Sequence, residues 1–142
     1  MSNTGLRVFD HTIHLSDTWL KELMTLLGWT DRQSAYAALR AVLHALRDRM
    51  SVDEAAQLGA QLPMLLRGVY YEGWHPAGKP RKERHKAQFL DHVRQEMRRD
   101  GDIDPEPAVE AVFELLANRV STGEIDDIKG LLPAELRALW PA

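Results

Sequence analysis

Displaced by 70 positions, the chain matches itself. Trp19 then meets Phe89 and Tyr70 meets Trp140, and the 52 positions between align without a gap. Twelve are identical: Leu20/Leu90, Ala38/Ala108, Ala41/Ala111, Val42/Val112, Leu46/Leu116, Arg49/Arg119, Ser51/Ser121, Glu54/Glu124, Leu62/Leu132, Pro63/Pro133, Leu66/Leu136 and Arg67/Arg137. Ordinary residue usage gives roughly three or four. A repeat of this length constrains the fold before any single motif does, because one supersecondary unit must serve twice.

The matched residues have structural reasons. In "AYAALRAVLHALRDRM", Ala35, Ala38, Leu39, Val42, Leu43, Leu46 and Met50 recur at spacings of three and four, one face of an α-helix. "AVEAVFELLANRV" repeats the stripe with Val109, Val112, Phe113, Leu116 and Val120. Arg49 and Arg119 fall in the last turn, where a cation suits the helix dipole. "SVDE" and "STGE" follow, each Ser-x-x-Glu. That is a capping box, in which Ser51 or Ser121 and Glu54 or Glu124 satisfy free amides at a helix start. Pro63 and Pro133 suit the first turn of a further helix, which carries Arg67 or Arg137 on the same side.

Each unit also opens with an amphipathic helix. Ser16 or Asp17 is expected to cap one bearing Trp19, Leu20, Leu23, Leu26 and Leu27, stopped near Gly28. Phe89, Leu90, Val93 and Met97 form its counterpart. Thr30 or Asp31, and Asp104 before Pro105, are expected to cap the long helices. No segment alternates as a strand does. The expected fold is all-α, two tandem four-helix units in one compact domain: 1–72, then a connector at 73–86, then 87–142.

The chain has 142 residues and no cysteine, which excludes disulfides, thiolate zinc sites and cysteine nucleophiles. "MSNTGLRVFDHTIH" contains no apolar run of signal-peptide length, and no stretch approaches a membrane span, so a cytoplasmic protein is expected. Charge is uneven: residues 1–73 sum to −1, 74–99 to +5 and 100–142 to −7. The net charge of −3 argues against nucleic acid, whose binding domains are usually basic overall.

The basic band lies in "YYEGWHPAGKPRKERHK", residues 70–86. Its glycines and prolines break the helix before it, so the plainest reading is a connector between units. Tyr70 and Trp74 are then expected to pack over the seam. The alternative is an interaction surface of Tyr71, Trp74, His75, Lys79, Arg81 and Lys82, since Trp, Tyr and Arg dominate binding hot spots.

Together "FDHTIHLSDTWLKELMTLLGW", "LRAVLHALRDRMSVDEAAQLGAQLPMLLRGVYYEGWHPAGKP" and "RKERHKAQFL" resemble the bacterial proteins grouped as domain of unknown function 2267. The resemblance spans nearly the whole chain. It implies a helical, internally repeated protein and carries over no activity, cofactor or catalytic residue. The second unit departs from the pattern, with "RRDGDIDPEP" where the first has "GWTDRQSAY".

Candidate chemistry is sparse. His11 and His14 are too few for zinc, and His44, His85 and His92 read as residues of polar helix faces, the last two beside Glu96. "DGDID" (100–104) begins like a calcium loop, but Pro105 and Ala111 stand where Gly and Glu are required. Phosphate loops and nucleophile elbows are absent, and Asp126/Asp127 reads as a surface pair. No metal site, cofactor or catalytic residue is expected. The favoured function is a non-enzymatic interaction or scaffold module that binds a protein partner or a second copy of itself. A small-ligand binder with a pocket at the inter-repeat seam comes second, and an enzyme of unrecognised type third.

Overall fold

The first helix begins before its expected caps. In the computed structural model, which describes residues 4–97 and 104–142, α1 runs from Arg7 to Leu27 and places Ser16 and Asp17 inside it. Its start is held instead by Asp10, whose carboxylate accepts from the amide and hydroxyl of Thr4. Gly28, at φ 71°, ends the helix in the left-handed conformation open to glycine. His11 and His14 are therefore helical residues, exposed on α1.

The remaining helices are α2 (Arg32–Arg49), α3 (Val52–Ala60), α4 (Met64–Tyr71), α5 (Lys86–Met97), α6 (Pro105–Arg119), α7 (Thr122–Leu131) and α8 (Ala134–Arg137). No strand occurs among the described residues, and the fold is all-α. Asp31 caps α2 by accepting from the Gln33 amide, and Asp104 caps α6 from the Glu106 amide, with Pro105 opening the first turn. Pro63 and Pro133 sit one position earlier than expected, as N-caps of α4 and α8. Their carbonyls accept from the Arg67 and Arg137 amides at 2.8 and 2.9 Å. Asp100 and Asp102 lie outside the described residues.

α2 occupies the centre because it can be covered on nearly every side. Beyond the expected stripe, Ala41 and Ala45 are buried, and their small side chains admit close neighbours. α1, α4, α5 and α6 all pack on it. Across the molecule α1 lies on α6 and α5 on α2, crosswise to the 70-residue displacement, while α3 lies directly on its counterpart α7. A single hydrophobic core runs from Trp19 to Trp140. Phe113 anchors its far end, stacked on Trp140 at 4.1 Å and tilted against Phe89 at 6.2 Å. Among the described residues no helix is long and apolar enough to cross a membrane.

This central position corrects the reading of two histidines. His44 and His92 are buried, not on polar faces, whereas Glu114, which matches His44, is exposed. His44 Nε2 lies 2.7 Å from the Val69 carbonyl, and burial holds its pKa below the usual imidazole value.

Candidate functional site

The connector lies along α2 and α5. The Arg81 amide donates to the Asp48 carbonyl at 2.8 Å, and Arg49 Nε donates to the Glu83 carbonyl at 2.8 Å. Beneath it is a buried ionic network. Arg47 Nε meets Asp48 at 2.8 Å while Arg47 Nη1 donates to the Tyr70 and Glu72 carbonyls. His92 Nδ1 stands 3.1 Å from Glu83, with Asp48 at 3.9 Å from its Nε2. Arg81 closes the chain, 3.3 Å from His92 and 3.4 Å from Glu83. Each buried charge of this network has a partner, as burial demands.

The six residues of the expected interaction surface fall into different settings. Tyr71 and Trp74 stack at 5.4 Å, both half-buried. The Tyr71 ring lies against α3, so close to Gly59 that a Cβ there would stand 2.3 Å from the hydroxyl. Only glycine leaves the phenol its place. Arg81 belongs to the ionic network, Lys79 is half-buried, and His75 and Lys82 are exposed. Tyr70 is wholly buried and donates to the Ala55 carbonyl at 2.7 Å, a contact with α3 of its own half.

A cavity of about 330 Å³ opens between α1, α2 and α4, lined by Ile13, Leu20, Tyr36, Leu39, Leu65 and Val69. Ser16, 5% exposed, also lines it, and its hydroxyl has no hydrogen-bond partner. Asp17 and Arg32 pair at the mouth. The Arg32 bond, then that of Lys21, holds the Asp17 carboxyl below the usual range. Around this mouth the surface is apolar. Phe9 and Ile13 share one face of α1, Leu6 precedes them at its N-cap, and Met64 and Leu65 begin α4, each about half exposed. The Leu65 amide donates to the Thr12 hydroxyl at 2.9 Å, which fixes α4 beside α1. A first helix capped at Ser16 or Asp17 leaves Leu6, Phe9 and Ile13 outside it, although their spacing of three and four is a helical signal.

The repeat markers meet at the helix corners. Arg67 donates to the carbonyls of Gly59, Ala60 and Leu62, and Arg137 to those of Lys129 and Leu132. Both thereby satisfy the open C-terminal ends of α3 and α7. Ser51 and Ser121 each accept from the amide of Glu54 or Glu124 at 3.2 Å, as a cap requires. The glutamate side chains do not complete the box. They face one another where α3 packs on α7, buried, with one Oε2 on each lacking a hydrogen-bond partner. Burial, then the Glu54 carboxyl, pushes the Glu124 pKa up to about 8.

Comparison with protein families finds that a model described as "Uncharacterized conserved protein (DUF2267)" matches residues 16–139. No curated protein matches the chain.

Proposed function

The chain belongs to the DUF2267 family of uncharacterized conserved proteins, and within it we propose a non-enzymatic helical interaction module that binds a second copy of itself. The observation that carries this reading is the apolar surface on α1 and α4. Leu6, Phe9, Ile13, Met64 and Leu65 stand half-exposed, Ile13 and Leu65 also lining the cavity, and exposed patches of this kind mark interaction sites. The same surface holds the exposed side chains of Leu6 and Phe9 and, one turn on at Ile13, the wall of a cavity. A two-fold contact needs that self-complementarity, since each copy must offer both knob and hole. We read the chain as a duplicated four-helix unit, on the strength of the crosswise packing and of the matching bonds of Arg67 and Arg137. In this account residues 73–86 are a strap over the ionic network, and docking belongs to α1 and α4. A cytoplasmic location accords with the absence, among the described residues, of a helix able to cross a membrane.

Sedimentation velocity over a concentration series tests this. Wild type sediments increasingly as a dimer, and Ile13→Asp stays a folded monomer. Monomeric wild type at every concentration contradicts the proposal.

A second reading has one observation in its favour, the unpartnered Ser16 hydroxyl in the cavity wall. A buried hydroxyl calls for a partner, and a small molecule with an apolar body and one polar group would supply it. The pocket then lies within α1, α2 and α4 rather than at the seam first expected. A melting shift with such amphiphiles that Ser16→Ala removes would favour it.

A further inference from the structure

Glu54 and Glu124 hold the same place 70 residues apart, and the packing of α3 on α7 brings them together. Gln61 keeps the two helices in register: its Oε1 accepts from the Ser121 amide at 2.8 Å and its Nε2 donates to the Ser121 hydroxyl at 3.0 Å. Each glutamate follows its capping serine by three, and the serine takes the amide, so the carboxylates are spare. They are 9% and 6% exposed, and one buried oxygen on each has no hydrogen-bond partner. Asp127, one turn along α7 from Glu124, is exposed at the rim. One carboxyl oxygen from each of the three lies within 4.8 Å of the others. Among the described residues none of the three is in an ion pair with a basic side chain.

The geometry points to a site for a hard divalent cation, Ca²⁺ or Mg²⁺, held by Glu54, Glu124 and Asp127 between α3 and α7. Hard cations take carboxylate oxygens at roughly 2.0–2.6 Å, so one ion reaches three oxygens spaced this closely. With no nitrogen or sulfur in the set, zinc and copper are disfavoured. A proton shared between the glutamates neutralises one charge and makes no use of Asp127. A cation in place of that proton draws on all three carboxylates, and the exposed Asp127 opens the path by which it enters with its waters. Because the two glutamates come from matched halves, the ion clamps one half to the other.

The test is thermal melting of the full chain in EDTA, in CaCl₂, in MgCl₂ and in NaCl of equal ionic strength. Wild type, Asp127→Asn and Glu124→Gln are compared. With cation well above its dissociation constant, the wild-type Tm rises by about 3 °C or more over the NaCl control. Both variants lose that rise. Asp127 is exposed, so Asp127→Asn leaves the fold intact and isolates the ligand. No rise with either cation, or a rise that survives in Asp127→Asn and Glu124→Gln, overturns the site.

Discussion

Arg67 and Arg137 make the same bonds 70 residues apart, to Gly59 and Leu62 in one half and to Lys129 and Leu132 in the other. Their repetition was legible in the sequence; their purpose was not, because a carbonyl end that folds back on a later side chain has no local signature. Arg67→Ala leaves three carbonyls dependent on water and costs about 1–2 kcal/mol. The expected fall in Tm is about 3–6 °C. Lysine restores only part of it, since one ammonium lacks the fork that spans several acceptors. Ser51 and Ser121 were likewise legible as caps, while Glu54 and Glu124 were misread as their partners, because pairing across α3 and α7 depends on tertiary packing. Glu124 keeps its proton to about pH 8 when folded, against an ordinary value of 4.5. Between these values the folded state binds more protons than the unfolded state, so stability falls as pH rises. Glu54 and Asp127 face Glu124, and the nearby Tyr70 phenol stays neutral throughout, its pKa raised by burial. In EDTA the wild-type Tm should therefore decline from pH 5 to 8.5, and Glu124→Gln should flatten that decline.

At the level of elements, hydrophobic period carried the reading of α2 and α6, whose expected stripes are all buried. It failed where a helix had no side-chain cap, as at the start of α1. It also failed where a polar residue is buried with partners. His44 and His92 read as residues of polar faces, yet four helices crowd α2, and α5, which carries His92, is one of them. The connector illustrates the same limit, since its composition suits a docking loop or a strap equally. Two substitutions separate these roles. Asp48→Ala takes from the buried Arg47 its carboxylate partner, leaving that charge only backbone carbonyls, and should cost about 3 kcal/mol, toward the low end for breaking a buried pair because His92 keeps Glu83. Lys82→Glu, on the exposed side, should change stability by less than about 0.5 kcal/mol. Urea unfolding of both proteins measures the difference.

For the whole molecule, the all-α class followed from the repeat and the helical spacing together. The crosswise packing did not follow, because a displaced self-match fixes which helices correspond but not which ones touch. That packing buries both halves in one core and leaves the α1–α4 surface as an apolar region without cover. Self-association through this surface is the central claim. The direct measurement is amide hydrogen exchange of dilute and concentrated protein. The account predicts that concentration slows exchange in residues 6–16 and 64–69 and leaves 73–86 unchanged. Protection that appears on 73–86 instead, or nowhere, contradicts it.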